Sequence, residues 1–98
     1  MIVVNRFRAG SGFEARLAPV VELLSGKDGF VDAEVGRNLD EPDLWVLVTR
    51  WRDVGSYRRD LGGMESKLIV VPLLSRAIDE PSAYDASDAV GENRPRGS

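Results

Sequence analysis

The chain has 98 residues, of which 43% are hydrophobic and 30% are charged, a length and composition typical of one small globular domain. It contains no Cys and no His, which excludes disulfides, thiolate nucleophiles, imidazole general bases and metal sites built on Cys or His. The net charge of −3 comes from residues 79–98, since residues 1–78 carry 11 acidic and 11 basic side chains, and a neutral body gives no electrostatic footprint for nucleic acid.

The first two predicted elements are a strand and a helix. Ile2–Arg8 is a short run rich in β-forming residues, and an Ala-Gly pair ends it. Ser11 and Glu14 have the spacing of a capping box, which predicts that a helix begins at Ser11. Pro19 predicts a kink or a break within that helix. The apolar residues predicted to share its buried face are Phe13, Leu17, Val21 and Leu24.

A β-hairpin and a short helix follow. Residues 30–38 and 44–50 predict two strands, and the Asn, Asp and Pro residues between them are typical of a turn, so the strands should pair antiparallel. Asp53 stands where an N-cap residue is expected, and a pair of glycines ends the helix after it. The apolar residues of that helix are Val54, Tyr57 and Leu61.

The last third of the chain predicts a bent helix and an edge strand. The middle of residues 64–78 could form a strand, but the apolar residues recur at helical spacing, so a helix bent or broken at Pro72 is predicted. Residues 81–86 predict a short strand at a sheet edge, where a leading proline is tolerated. The stripe of the predicted helix consists of Met64, Leu68, Val71, Leu74 and Ile78.

The resulting order β-α-β-β-α-(α)-β is that of the ferredoxin-like α+β fold, a four-stranded antiparallel sheet with its helices on one face. We expect this domain to span residues 1–86. Residues 87–98 are polar and show no periodicity, so they predict a disordered tail.

The third strand is apolar on both of its faces. Because the helices of such a fold cover only one sheet face, the other apolar face needs a second cover. The simplest cover is the same face of another copy, so we expect a homodimer formed through the sheet face. One face of this strand carries Leu44, Val46 and Val48, and the other carries Trp45, Leu47, Thr49 and Trp51.

Several short motifs occur in a family-like order over residues 2–86. They are Val3-Val4-Asn5-Arg6, Gly29-Phe30, the turn with Asp40 and Pro42, the run from Leu44 to Trp51 followed by an acid and a Tyr-bearing helix, Leu73-Leu74, and Asp79-Glu80-Pro81. Together they resemble the antibiotic biosynthesis monooxygenase family, small domains of the dimeric α+β barrel type. The resemblance implies a homodimer with a pocket between the sheet and the helices of each protomer.

The resemblance implies one of two activities. One group of family members oxidises polycyclic aromatic phenols with O₂ and no metal or prosthetic group, because the anion of the substrate itself reduces oxygen. The other group degrades haem with an Asn on the first strand, a Trp on the helix after the third strand and a His on the next helix. Asn5 matches that Asn. Asp60 takes the place of the Trp, and the place of the His falls near Val70 in a chain without His, so haem degradation is not expected.

The candidate site residues are predicted to be catalytic (Asn5, Tyr57) or substrate-binding (Phe7, Trp45, Trp51, Arg50). Asn5 is a polar residue in an apolar strand, and it could hold a substrate hydroxyl, a carbonyl or O₂, or form a structural hydrogen bond. The aromatic residues could form the wall and the mouth of a pocket, or they could pack in the core. Arg50 could stabilise a phenolate, or pair with nearby acids at the surface.

Two functions are compatible with these observations. The first is a cofactor-independent monooxygenase-like protein that acts on or binds a small aromatic or phenolic compound and needs no metal. The alternative is a non-catalytic dimeric module of the same fold with a ligand-binding or structural role. The apolar start breaks at Asn5, and no apolar run approaches the ~20 residues of a membrane span. We therefore expect a cytoplasmic protein without a membrane partner.

Overall fold

The computed structural model describes residues 1–90, which form a single four-stranded sheet with helices packed on one side. The strands are antiparallel and lie in the order β2-β3-β1-β4, which confirms the predicted ferredoxin-like α+β fold. In chain order the elements are β1 (Ile2–Arg8), α1 (Glu14–Ser25), β2 (Phe30–Arg37), β3 (Leu44–Trp51), α2 (Val54–Leu61), a π-helical segment (Ser66–Val70), α3 (Val71–Leu74), β4 (Ala83–Tyr84) and α4 (Ser87–Val90).

The hydrophobic core lies on one face of the sheet, which we call the covered face. Phe13 lies at its centre, because its ring centroid is 5.2 Å from that of Phe7 and 5.8 Å from that of Trp45. Tilted ring pairs at these distances stabilise a core beyond the area that they bury. The other core residues come from β1, β3 and the helices and are Val3, Leu17, Val20, Leu24, Leu47, Trp51, Val70 and Leu73.

The opposite face of the sheet, which we call the open face, is apolar along its centre but is not part of that core. Val4, Val46 and Val48 point to this face and are half-buried, and Ile2 beside them is 40% exposed. Within residues 1–90 the core cluster takes no side chain from the open face. The predicted alternation of two apolar faces is therefore present, and helices cover only one of them.

The hairpin and α2 form as predicted. The Asn38 side chain accepts hydrogen bonds from the backbone N–H groups of Asp40 and Glu41, both at 2.9 Å, and so fixes the turn between β2 and β3. Asp53 caps α2, because its carboxylate accepts a 2.7 Å hydrogen bond from the backbone N–H of Ser56.

Helix α1 begins later than predicted. Phe13 precedes its first residue, and no side chain caps it, so the prediction of a capping box at Ser11 and Glu14 is wrong. The reason is the turn that leads into the helix. Gly12 has a φ of 91°, a left-handed conformation that glycine adopts readily, and this turn leaves Ser11 outside the helix.

Pro19 lies inside α1 without dividing it. Proline removes one backbone donor, and the carbonyl that loses its partner belongs to Ala15, four residues earlier. Both residues lie on the exposed side of the helix, where water can satisfy that carbonyl. The predicted buried face is confirmed except for one position, since Val20 is buried and Val21 is only half-buried.

The prediction of a helix over residues 64–78 is confirmed for residues 64–74, but only the end of its apolar stripe, at Leu74, packs against the core. Met64 and Leu68 are 72% and 69% exposed, and Val71 is 41% exposed. The residues that this segment buries are Ser66, Val70 and Leu73.

The π-helical segment Ser66–Val70 interrupts the helical period in this stretch. The backbone N–H of Val71 donates to the carbonyl of Ser66, five residues earlier, so this turn contains more residues than an α-helical turn. A stripe spaced for 3.6 residues per turn therefore does not stay on one face, and Met64 and Leu68 are exposed whereas Leu74, after the wide turn, packs against the core. Pro72 lies in the first turn of α3, where its missing N–H costs little.

At the end of the described chain, the last strand is shorter than predicted and a helical turn follows it. The edge strand β4 covers only Ala83–Tyr84 of the predicted residues 81–86, and it pairs with β1. Ser87–Val90 form one helical turn at the start of the predicted disordered tail, and the rest of that tail lies outside the described residues. None of the helices formed by residues 1–90 is long and apolar enough to cross a membrane.

Candidate functional site

The segment from Ile78 to Tyr84 pairs with the edge of β1, and this pairing is interrupted opposite Asn5. On one side the backbone N–H of Val4 donates to the carbonyl of Ser82 at 2.7 Å, and on the other the N–H of Ile78 donates to the carbonyl of Arg6 at 2.8 Å. Three residues, 79–81, therefore oppose the single residue Asn5. This is a bulge with two extra residues, and bulges at sheet edges commonly redirect side chains beside a site.

Asn5 lies on the covered face of β1, between Val3 and Phe7, but it is only half-buried. Within residues 1–90 its side-chain amide forms no hydrogen bond, although the amide of Asn38 forms two. The two donors and the acceptor of this half-buried amide are therefore left to solvent or to a ligand.

The bulge and Asn5 border a cleft of about 290 Å³, which we call the Asn5 cleft. It is open to solvent and lies between the edge of β1 and the chain that leads from α3 to β4. Its titratable lining residues are both acidic, and its apolar lining comes from the end of α3 and the loop after it. The lining residues are Asn5, Leu74, Ser75, Ala77, Ile78, Asp79, Glu80 and Ser82.

Arg6 holds the bulge in place through Glu80. The guanidinium donates two parallel hydrogen bonds of 2.7 Å, from Nε to Oε2 and from Nη2 to Oε1. This bidentate geometry is the strongest form of an Arg–carboxylate pair. The hydrogen bonds from Arg6 lower the pKa of the Glu80 carboxyl below its ordinary value, so Glu80 remains ionised and engaged.

Tyr57 borders a different cleft, which we call the Tyr57 cleft. It has a volume of about 300 Å³ and lies between α2, β4 and α4. The Tyr57 ring packs on Trp51 with a centroid separation of 5.6 Å, and burial raises the pKa of its phenol, which therefore stays protonated. The structure thus does not bring the two predicted catalytic residues, Asn5 and Tyr57, into one cleft.

Phe7, Trp45 and Trp51 lie deep in the covered face and are 1%, 2% and 2% exposed. Both indole N–H groups have partners within the protein. Trp45 donates to the carbonyl of Ala9 at 3.1 Å, and Trp51 donates to the hydroxyl of Thr49 at 3.0 Å. These observations favour the packing alternative for the three aromatic residues.

Arg50 lies on the open face, opposite to the face that carries Asn5. Successive side chains of a strand point to opposite faces, and Arg50 directly follows Thr49, which lies on the covered face. Its guanidinium donates to Asp32 at 2.8 Å and to Glu34 at 3.2 Å. The structure therefore does not bring Arg50 and Phe7, both predicted to bind substrate, to one pocket, since the sheet lies between their side chains.

The residues of the Asn5 cleft that the sequence analysis missed are Ser75, Asp79, Glu80 and Ser82. A signal for them was present, because in the predicted strand order the last strand pairs with the first. The acidic turn before β4 must then lie beside Asn5. Within residues 1–90 no group of three or more acidic side chains is arranged to hold a metal ion.

Comparisons with known proteins agree with this architecture. A family model described as antibiotic biosynthesis monooxygenase matches residues 1–62. Among solved structures, SnoaB, a cofactor-independent oxygenase from Streptomyces nogalater, is 25% identical over 87% of this chain and 90% of its own, with a TM-score of 0.74. No curated protein sequence matches significantly.

Two further structures share the fold at lower identity. A conserved protein from Methanosarcina mazei Go1 is 23% identical over 84% of each chain, with a TM-score of 0.65. Rv0793 from Mycobacterium tuberculosis is 19% identical over 84% of this chain and 88% of its own, with a TM-score of 0.62.

Proposed function

We propose, from the premise that this chain belongs to the antibiotic biosynthesis monooxygenase family, that it binds a small aromatic phenol in the Asn5 cleft and oxidises it with O₂. The observation that carries the proposal is the Asn5 amide, which is half-buried, lines the cleft and has no hydrogen-bond partner within residues 1–90. A phenol hydroxyl, or the oxygen anion derived from it, satisfies such an amide.

The reaction needs no redox group from the protein, because an aromatic enol or phenol supplies the electrons itself. One O₂ is consumed, one of its oxygen atoms becomes a ring carbonyl, and the other leaves as water with two hydrogens of the substrate. The part of the chain is to orient the ring and to stabilise negative charge on its oxygen. The Asn5 N–H group donates to that oxygen, and the effect is strongest as the charge develops.

We also propose that the functional unit is a homodimer formed through the open face. Val4, Val46 and Val48 form an apolar stripe there that a second copy can bury. The charged side chains around the stripe already have partners, such as Arg50 with Asp32, so burial of this face leaves few charges without partners. A closed twofold arrangement uses the same stripe on both copies.

The test is oxygen consumption by metal-free protein with anthrone and a panel of phenols and quinols, with the quinone followed by its absorbance. We expect turnover by the wild type and a loss of about 100-fold in kcat/KM for Asn5→Leu, which keeps the volume and removes the amide. Ser25→Ala, in an exposed position at the end of α1, is the control and keeps wild-type activity. Tyr57→Phe decides between the clefts, because a loss in this variant alone moves the site to the Tyr57 cleft.

One observation favours the alternative of a non-catalytic module. The space between the sheet and the helices is filled by the protein's own side chains, including Phe7, Phe13 and Trp45. A structural module needs no more than this. It predicts that none of the panel compounds binds or turns over and that Asn5→Leu changes nothing except stability.

A further inference from the structure

We infer that Asp79 is the proton acceptor for the substrate in the Asn5 cleft, a role that rests on the proposed function of this cleft. Asp79 is an exposed residue of the bulge that opposes Asn5, and both residues line the same cleft. A ring hydroxyl bound between them lies between an amide, which can donate to its oxygen, and a carboxylate, which can take its proton.

The bulge is what brings Asp79 to this position. Continued pairing from Ile2 with Tyr84 would place residue 81 opposite Asn5 and residue 80 opposite Arg6. Instead the carbonyl of Arg6 accepts from Ile78, so two extra residues are accommodated beside Asn5. In continuous pairing Asp79 would instead stand opposite Phe7, two residues from Asn5.

The two acids of the cleft differ in their availability. Both oxygens of Glu80 accept hydrogen bonds from Arg6, whereas Asp79 has neither a hydrogen bond nor an ion pair within residues 1–90. Arg6 is therefore a positioning residue, since it fixes the bulge and occupies Glu80. Asp79, whose side chain is exposed, is left as the carboxylate of the cleft whose oxygens are not engaged by another described residue.

No competing base lines the cleft. The chain has no His or Cys, and the lining set contains no Tyr, Lys or Arg. Ser75 donates its hydroxyl to the carbonyl of Pro72 at 2.7 Å. The polar groups that line the cleft with Asp79 are therefore the neutral amide of Asn5, the hydroxyls of Ser75 and Ser82 and the Glu80 carboxylate, whose charge Arg6 balances.

The charges that line the cleft also indicate the protonation state in which the substrate binds. The uncompensated charge near the ring is that of Asp79, which repels an anion and attracts a hydrogen-bond donor. The substrate class is therefore a neutral phenol or enol, and a phenolate or an aromatic carboxylate is excluded from the first encounter.

With the enol form of anthrone as substrate, the proposed reaction transfers one proton to Asp79 and electrons to O₂ in the following steps. Its hydroxyl proton passes to Asp79, and the electron pair of the O–H bond stays on the substrate oxygen. The anion gives one electron to O₂, and the two radicals join through a new C–O bond to a peroxide anion. Asp79 returns the proton to the peroxide, and water then leaves as the O–O bond and the ring C–H bond break, which yields the quinone carbonyl.

The experiment compares Asp79→Asn, Asp79→Glu and the control Asp40→Asn with the wild type, using anthrone as the probe. Asp40 lies exposed in the hairpin turn, far from the cleft in the sequence and absent from its lining. We expect Asp79→Asn to lower kcat about 100-fold while KM changes less than about threefold, and Asp79→Glu to recover part of the rate.

Unfolding curves of all variants show whether each is folded, so a loss of rate can be assigned to chemistry. If the wild type turns over anthrone, Asn5→Leu does not, and Asp79→Asn keeps the wild-type rate, the proposed function stands and the role of Asp79 is overturned. If the wild type neither binds nor oxidises anthrone or the phenol panel, both are overturned.

Discussion

The two faces of the sheet have nearly the same sequence character and very different surroundings. On β3, Trp45 and Leu47 of the covered face are 2% and 1% exposed, whereas Val46 and Val48 of the open face, one position away, remain half-buried. The helices α1 and α3 make the difference, because they pack on one side only. An apolar pattern along a strand therefore shows which side chains can be buried. The positions of the helices determine which of them are buried within one chain.

The charged residues of the two faces differ in the same way. The open face carries Arg6, Arg8 and Arg50 on its central strands, and each forms an ion pair with an acid of a neighbouring segment. The covered face carries no Arg on its two central strands, and its polar residues are Asn5 and Thr49. Because exposed pairs contribute little to stability, the ion pairs of the open face add little to the free energy of unfolding, which comes mainly from the covered face.

The largest expected effect is on the covered face. Trp45→Ala should lower the free energy of unfolding by about 3–5 kcal/mol, since it removes a buried indole that contacts Phe13 and leaves a cavity. Val46→Ala, one residue away on the open face, should cost about 1 kcal/mol. Urea denaturation at one fixed protein concentration measures both. Equal losses would show that the open face is as tightly packed as the covered face.

The next largest effect is expected at Gly29, which directly precedes β2 and lies close to Ser56 of α2. Gly29 has a φ of 90°, and a Cβ added there would lie 2.6 Å from Oγ of the buried Ser56. Gly29→Ala should therefore destabilise the protein by about 2–4 kcal/mol through backbone strain and overlap. Gly12→Ala is the matched control, because Gly12 has a φ of 91° and nothing within 4 Å of its added Cβ, so only strain of about 1 kcal/mol remains. Thermal unfolding of both variants gives the difference, and identical values would refute the close approach at Gly29.

A smaller effect is expected when the open face is charged. Val48→Glu places a carboxylate at the centre of the apolar stripe, so the proposed dimer should weaken at least about tenfold, equivalent to about 1.4 kcal/mol. The monomer should stay folded, because Val48 is already half-buried and not part of the core. Sedimentation velocity over a concentration series measures the association. Unchanged dimerisation would remove the open face as the interface.

The smallest effect is at the edge of the sheet, where Arg6 binds Glu80. Because Arg6 lowers the pKa of Glu80 in the folded state, this pair stabilises the protein above the ordinary pKa of a glutamate, and the contribution disappears as the pH falls through the lowered value. Glu80→Gln should therefore lower the Tm slightly at neutral pH and not at strongly acidic pH. Melting curves of variant and wild type across this range should converge, and a constant difference would contradict the ion-pair explanation.

Much of the fold was predictable, because its signals are local. The alternation along β3, the turn chemistry at Asn38 and the N-cap at Asp53 each act within a few residues, and all three are confirmed. The start of α1 was not predictable from Ser11 and Glu14, since a left-handed glycine, and not the capping box, sets where the helix begins.

The candidate site was less predictable, because it depends on contacts distant in sequence. Asn5 could be recognised as a polar residue in an apolar strand. Asp79, which lines the same cleft, is 74 residues later, and the bulge places it beside the edge of β1. Arg50 and Tyr57 have suitable chemistry, but Arg50 lies on the open face and Tyr57 lines a different cleft.

The sequence by itself determined the element order, the α+β class and the two apolar faces of the central strands, because periodicity and turn chemistry are written in neighbouring residues. Only the tertiary structure decided which face the helices cover and that Met64 and Leu68 lie outward beside and within the π-helical segment. It also decided that Asn5 and Asp79 line one cleft. The physical reason is that a widened helical turn and an edge bulge depend on contacts distant in sequence, and each changes which residues lie beside one another.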